Sequence, residues 1–347
     1  MSDYAITRVF PGNAPMLAQI DGLLAAEGLT RDKNLDYICA MVDGDGQVIA
    51  TGSCFGQTLR CFAVHREHQG EGLLNEVVSH LMDFQISRGN SHLFLYTKTK
   101  TAKFFESLGF YEIARVDGVL SFLENRRRGF SAYLNALSQT ARSGVSGAIV
   151  MNANPFTLGH RYLVEQAAAG CDTLHLFLLS EDASLVPFAV RKKLVEEGIR
   201  DIPNVIVHDS GPYIISNATF PSYFLKDDLT VTESHAKLDL AVFARIAQAM
   251  QITVRFVGEE PTSQVTGCYN AVMARQLPDC GVQCRILPRK TVRGRVISAS
   301  TVRAALKDGD WQTLEEMLPE TTLDYFRSAE AAPVLAAIKG AETVIHH

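Results

Sequence analysis

No run of apolar residues in the 347-residue chain is long enough to cross a bilayer, which argues against a helical membrane protein. The opening residues, MSDYAITRVFPG, carry Asp3 early and lack the basic start and apolar middle of a secretory signal. The seven cysteines are odd in number and scattered; only Cys280 and Cys284 come close, and no second pair completes a zinc site. They are expected to be reduced thiols, mostly in cores, of a cytoplasmic protein. The 33 Lys and Arg nowhere gather into the stripe that duplex binding needs, and the net charge is only -5, so neither nucleic acid nor membrane is an expected partner. Internal repeats and low-complexity segments are missing too, and the closing His346 and His347 carry no assigned role.

What is present suggests two domains, because the length exceeds what one hydrophobic core usually serves. From Leu35 to Phe55 two apolar runs flank Asp43, Gly44, Asp45 and Gly46, which predicts a β-hairpin. Leu59 to Val64 reads as a third strand. After a Gly-containing loop, Leu73, Leu74, Val77, Val78, Leu81 and Met82 recur at helical spacing, and Leu93 to Tyr96 reads as another strand. A basic, partly amphipathic stretch from Arg126 to Arg142 then leads into Ser143, Gly144, Ser146 and Gly147, a candidate junction. Beyond it, strands at Ala148 to Met151, Thr173 to Leu179, Val205 to Val207, Thr253 to Val257 and Gln283 to Leu287 alternate with helical patterns. That alternation predicts a parallel sheet covered on both faces. The expected division is 1–125, a helical linker 126–146, and 147–347.

In the first part, strand Leu59 to Val64 runs into His65-Arg66-Glu67-His68-Gln69-Gly70-Glu71-Gly72 and a helix. Glycines there let backbone N–H groups approach an anion at a helix N-terminus. Downstream, Ala102-Lys103-Phe104-Phe105-Glu106-Ser107-Leu108-Gly109-Phe110 resembles the late motif of the GCN5-related acetyltransferases, and residues 1 to about 125 look like that mixed α+β fold. The resemblance implies that Gln69, Gly70, Glu71 and Gly72 meet the pyrophosphate of a CoA-like arm. The chain departs from the family at Glu67, whose carboxylate would repel phosphate. It departs again at Phe105, where many members place a tyrosine that protonates the leaving thiolate. Phenylalanine cannot donate that proton, so a CoA-like binding module is expected in preference to an active acetyltransferase. His65 and His68 read as solvated loop residues, not as metal ligands.

In the second part, strand Gly147 to Met151 ends in Asn152-Ala153-Asn154-Pro155-Phe156-Thr157-Leu158-Gly159-His160, and a helix starts at once. The carboxyl end of a first parallel strand is where open α/β sheets bind ligands. Gly159 permits close backbone approach to phosphate, and His160, in the first helical turn, can stabilise charge building up there. Late in the chain, Ile297-Ser298-Ala299-Ser300-Thr301-Val302-Arg303 precedes an apparent helix from Ala304 and offers hydroxyls, free N–H groups and a guanidinium as a second phosphate site.

Other stretches leave two readings open. Ser210-Gly211-Pro212-Tyr213, followed by residues 216–226 with Asn217, Thr219, Phe220, Tyr223 and Lys226, is either a packed loop or the wall of a small pocket with Lys226 available to an anion. Val257-Gly258-Glu259-Glu260-Pro261 ends a strand at the same expected rim, so Gly258 and Glu259 are weaker candidates. Arg191, Lys192 and Lys193 begin a helical segment, where cations are disfavoured by the dipole unless they serve an anion; a solvated basic face is the alternative.

Thr-x-Gly-His near the start of this part and Ile-Ser-x-Ser/Thr-x-x-Arg near its end resemble the two signatures of the nucleotidylyltransferase superfamily. Most members have His at the position of Thr157; phosphopantetheine adenylyltransferases, like this chain, have Thr there. The resemblance implies a doubly wound, Rossmann-like parallel sheet that binds ATP and Mg2+. It implies His160, Arg303 and Thr157 as catalytic residues, and Asn152, Asn154, Pro155, Phe156, Gly159, Ser298, Ser300 and Thr301 as ATP or phosphate contacts. With the acetyltransferase-like part in front, and with Ile-Ser-Asn-Ala-Thr-Phe-Pro-Ser-Tyr-Phe-Leu-Lys and Val-Gly-Glu-Glu-Pro inside, essentially the whole chain resembles the citrate lyase ligase family. That family implies ATP-dependent acetylation, by acetate, of the thiol of the CoA-like prosthetic group on the citrate lyase acyl carrier subunit. Acetyl-adenylate is the implied intermediate, and AMP and pyrophosphate are released. The alternatives are a nucleotidylyltransferase that adenylylates a phosphopantetheine-type phosphate and an acetyl-CoA-dependent N-acetyltransferase.

Overall fold

The computed structural model describes residues 4–180, 184–214, 220, 228–259 and 264–343. Two compact units are present, one built from the described part of Met1–Ala132 with Pro221–Ala241, the other from Tyr133–Phe220 with Val242–His347.

The first unit holds β1 (Ala5–Val9), α1 (Ala14–Ala26), β2 (Tyr37–Val42), β3 (Val48–Phe55), β4 (Thr58–Val64), α2 (Leu73–Ser87), β5 (Phe94–Lys98), α3 (Ala102–Ser107), β6 (Tyr111–Val116) and β7 (Leu120–Glu124). Its sheet runs β1-β2-β3-β4-β5-β7-β6. The predicted hairpin is β2 and β3, its turn closed by Asp43 Oδ1, which accepts from the backbone N–H groups of Asp45 and Gln47. Every strand pair is antiparallel except β4 with β5, which pair in parallel through Thr58 and Leu59 alone. Beyond Leu59 the two strands therefore part.

Leu73, Val77, Val78 and Leu81 form the buried stripe of α2. Gly52 on β3 makes the close approach of α2 possible: a Cβ there would stand 2.6 Å from Val77 Cγ1 and 2.9 Å from the Phe62 ring. A substitution at Gly52 would force the helix away from the sheet, losing apolar burial worth roughly 1.5–3 kcal/mol per large side chain.

The second unit contains β8 (Ser146–Met151), α5 (Leu158–Ala169), β9 (Thr173–Leu178), α6 (Phe188–Gly198), β10 (Val205–Asp209), β11 (Val254–Gly258), α8 (Gln264–Gln276) and β12 (Gln283–Leu287). Helix α4 (Gly129–Ser138) runs into this unit from the first, and α7 (Asp228–Met250) likewise contributes residues to both. A hairpin of β13 (Thr291–Val292) and β14 (Arg295–Val296) precedes α9 (Ala299–Asp308), and α10 (Trp311–Met317), α11 (Glu320–Arg327) and α12 (Ala332–Gly340) complete it. The sheet order is β10-β9-β8-β11-β12, all parallel, so the chain winds outward from β8 in both directions. The carboxyl end of β8, where that direction reverses, is the expected ligand crevice of such a sheet.

Several boundaries differ from the sequence reading, two of them at the junction and at the second motif. Strand β8 begins at Ser146, whose residue is buried, so the hinge-like composition ends at Val145. Helix α9 begins at Ala299, not Ala304, because Ser298 caps it by accepting from the Thr301 N–H; the hydroxyl-rich stretch forms the first turn of the helix instead of leading up to it.

Candidate active site

The turn from β8 to α5 is packed tightly. Ala153, Asn154, Phe156 and Thr157 are all buried, Phe156 completely. The Asn154 side chain accepts from the Val186 N–H at 3.1 Å. Thr157 is the N-cap of α5, with a reciprocal pairing to His160: Thr157 Oγ1 accepts from the His160 N–H at 3.3 Å, and the Thr157 N–H donates to His160 Nδ1 at 3.1 Å. A backbone N–H can only donate, so Nδ1 carries the lone pair and the proton sits on Nε2. Burial, the charge of Arg289 and the charge of Arg303 together lower the His160 pKa to about 4. At neutral pH the residue is thus an uncharged imidazole presenting Nε2–H as a donor in the first turn of a helix.

The second motif reaches the same place. The Ser298 hydroxyl lies 3.0 Å from that of Ser300 and 2.7 Å from that of Thr301, forming a cluster at the N-terminus of α9. A Cβ on Gly159 would stand 3.2 Å from the Ile297 carbonyl oxygen, so the absence of a side chain is what lets the two helix starts meet. Arg303 is 3% exposed, and its Nη1 donates to the Asn154 carbonyl at 2.5 Å. Burial lowers its pKa to about 10, which still leaves it charged at neutral pH. Two helix N-termini, each with unpaired N–H groups and the positive end of a dipole, are thereby joined.

The expected contacts divide by accessibility. Asn154, Pro155, Phe156 and Thr157 are buried structural members of the turn, whereas Asn152, Gly159, His160, Ser298 and Ser300 are partly exposed and Thr301 is exposed. Arg191 corrects the reading of a solvated basic face. It is fully buried and donates from Nε to Val186 O, and from Nη1 to Asn152 O, Asn152 Oδ1 and Leu179 O, at 2.8–3.0 Å. These partners are neutral carbonyl dipoles, just past the carboxyl ends of β8 and β9 and at Val186, and none of them is an anion. Its neighbours are paired with carboxylates, Lys192 with Asp209 and Lys193 with Glu330.

Of the weaker candidates, Tyr213 is buried against Tyr133, ring centroids 4.9 Å apart, and Phe220 is buried, which favours the packed-loop reading for these two. Asn217, Thr219, Tyr223 and Lys226 lie outside the described residues. Gly258 ends β11 with its carbonyl accepting from Asn270, and Glu259 is exposed. Among the described residues, no group of three or more His, Cys, Asp or Glu is placed to hold a metal ion. The cysteines are free, but only Cys39, Cys54 and Cys61 are buried, fewer than expected.

The parting of β4 and β5 opens a cavity of about 700 Å3 in the first unit. Phe62, Tyr96, Phe104 and Phe105 give it aromatic walls, while Gln69, Gly70, Gly72, Lys98 and Lys100 bring backbone and charge to it. Glu71, expected with the loop contacts, pairs instead with His68 at 3.2 Å and is not part of the lining; Glu67 is exposed and does not line it either. His65 is exposed and His68 partly so. Lys98 and Lys100 were not singled out from sequence, although the Lys-Thr-Lys-Thr run that starts at the last residue of β5 was the available signal.

The first unit is similar to the solved ribosomal-protein-S18-alanine N-acetyltransferase from Escherichia coli, 19% identical, over 35% of this chain and 92% of that one, with a TM-score of 0.28. The citrate (pro-3S)-lyase ligase of Haemophilus influenzae is 39% identical over 318 residues, 90% of this chain and 95% of that protein. Its Escherichia coli (strain K12) counterpart is 37% identical over 329 residues, 93% of each. No helix among the described residues is long and apolar enough to cross a membrane. The profile of the citrate lyase ligase C-terminal domain matches residues 146–326, and with these relatives it shows that the chain is an enzyme belonging to the citrate lyase ligase family.

Proposed function

We propose that the protein uses ATP and acetate to acetylate the thiol of a CoA-like prosthetic group on the acyl carrier subunit of citrate lyase, in the cytoplasm. The observation that carries this reading is the joined pair of helix N-termini, with a neutral His160 whose Nε2–H is left as a donor. Such a site binds anions and stabilises charge that grows on them.

ATP, as its magnesium complex, is a substrate. An acetate oxygen attacks the α-phosphorus, forming the acyl–phosphate bond as the bond to the β-phosphate oxygen breaks, and pyrophosphate leaves with the electron pair. Acetate is already ionised and needs no base. His160 Nε2–H, the exposed N–H groups of the two first turns, and the Ser298, Ser300 and Thr301 hydroxyls serve the triphosphate. Thr157 fixes the imidazole, and Arg303 fixes the turn. The thiolate of the prosthetic group then attacks the acetyl carbonyl carbon, and the carbon–oxygen bond breaks to release AMP. Alignment and charge stabilisation are the protein's contributions. In this reading the pantetheine arm docks in the cavity of the first unit through Gln69, Gly70 and Gly72, whose lining carries no hydroxyl at Phe105 to protonate a leaving thiolate.

Incubating the enzyme with ATP, acetate and deacetylated citrate lyase tests the reading. Mass spectrometry should find one acetyl group added to the carrier subunit, with AMP and pyrophosphate formed in equal amounts. A carrier or phosphopantetheine product that retains AMP would support adenylylation instead, and acetyl transfer from acetyl-CoA without ATP would support the acetyltransferase.

A further inference from the structure

We propose that Arg289, which lies outside both sequence motifs, is the guanidinium that meets the departing pyrophosphate, and that Arg303 acts behind it as a positioning residue. The proposal rests on the acetyl-adenylate reading above.

A cation that stabilises a leaving group has to reach it at the moment the charge develops. Arg303 is badly placed for that task. It is 3% exposed, and its Nη1 donates to the Asn154 carbonyl inside the packed turn. Releasing it would unpin the turn that carries Thr157 and His160. Its geometry is that of a buttress.

Arg289 stands nearer to solvent. It follows the carboxyl end of β12, on the rim where parallel sheets bind ligands, and it is partly exposed. Its Nε donates to the Glu259 carbonyl at 2.7 Å, at the end of β11, which fixes the plane of the guanidinium fork. The next residue ties this segment to both helix starts. The Lys290 carbonyl accepts from the Ile297 N–H at 3.1 Å, immediately before the Ser298 cap, and Lys290 Nζ lies 5.7 Å from the ring centroid of Tyr162, on α5 just past His160. Ile297 is the residue whose carbonyl packs against Gly159. Arg289 is therefore held by a short chain of contacts beside the paired N-termini, and its charge is felt at His160 more strongly than that of Arg303. A planar fork with several donors suits a pyrophosphate better than a lysine would.

The test measures acetate-dependent exchange of labelled pyrophosphate into ATP by the full-length enzyme and its Arg289→Ala, Arg289→Lys and His160→Ala variants, with melting temperature recorded for each. For Arg289→Ala we expect an exchange rate lowered roughly ten- to hundredfold. The pyrophosphate concentration for half-maximal exchange should rise while that for acetate and the melting temperature stay near wild type, and Arg289→Lys should recover part of the loss. If His160→Ala abolishes exchange and Arg289→Ala stays within twofold of wild type, the proposal is wrong and the active-site reading stands. If both variants exchange normally, the reading of the site falls with it. An equal shift in the acetate and pyrophosphate dependences together with a lowered melting temperature would make Arg289 merely structural and would also overturn the proposal.

Discussion

Of the turns that lead from a strand into a helix, β4–α2 and β8–α5 both carry glycines, yet they are built on opposite plans. In the β4–α2 turn, Gly70 and Gly72 have φ of 94° and 83°, a Cβ on either would meet nothing within 4 Å, and Gly72 begins the helix without any side-chain cap. In the β8–α5 turn, Thr157 caps the helix, Phe156 is fully buried, Gly159 is pressed against the Ile297 carbonyl, and two buried arginines hold the backbone carbonyls of Asn152 and Asn154. The first set of glycines serves backbone conformation. The second serves packing. An open turn beside a cavity suits an arm that arrives and leaves, while a turn pinned from several sides suits donors that must already be in place when charge develops.

The sharpest way to break the comparison is to remove the donor from the pinned turn. His160→Ala should lower acetate-dependent pyrophosphate exchange by roughly a hundredfold or more, with little change in melting temperature. Near-normal exchange would remove the residue from the site. The pH behaviour sharpens the same point. Because the folded-state pKa is lowered to about 4, the imidazole stays neutral down to that region. The folded protein refuses a proton that the unfolded chain accepts below its ordinary value, so this group's contribution to stability is full above that value and is lost as pH falls toward 4. His175 and His208 are also lowered to about 4, so histidine NMR of the wild type should show three imidazoles titrating in that region, one of which is missing in His160→Ala; titration of that missing resonance at an ordinary value would contradict the electrostatic account.

A smaller effect separates the two kinds of glycine. Gly198 on α6 faces the Phe156 ring, and a Cβ there would stand 2.5 Å from it, so Gly198→Ala must displace a fully buried ring of the pinned turn. Denaturant unfolding should show a loss of about 1–3 kcal/mol, and exchange should slow as well. Gly70→Ala has room for its methyl and bears only the strain of positive φ, so a loss of about 1–2 kcal/mol with unchanged exchange is expected. Equal effects of the two substitutions on exchange would erase the distinction.

Much of this plan was legible from sequence. The five strands of the parallel sheet fall within a residue or two of their apolar runs, because strands buried on both faces read as continuous hydrophobic segments. Strand order was not legible, since pairing joins residues far apart in sequence. The late strands β6 and β7 of the first unit also escaped notice, being short and, in β7, closing with the buried Glu124 that His92 contacts at 2.7 Å. Within the site, Thr157, Gly159 and His160 stand out by their spacing. Arg191 carried a signal, a cation at a helix start, but its targets are carbonyl groups contributed by three separate segments, which no local pattern records. Arg289 sits in no motif and becomes visible only when β11 and β12 lie side by side.

The central claim is that an acyl-adenylate forms before any thiol takes part. It is tested most directly by exchange of labelled pyrophosphate into ATP by the enzyme alone, with and without acetate. The account predicts exchange that requires acetate and proceeds in the absence of citrate lyase. Exchange that ignores acetate, or that appears only when a phosphorylated acceptor is supplied, would contradict it.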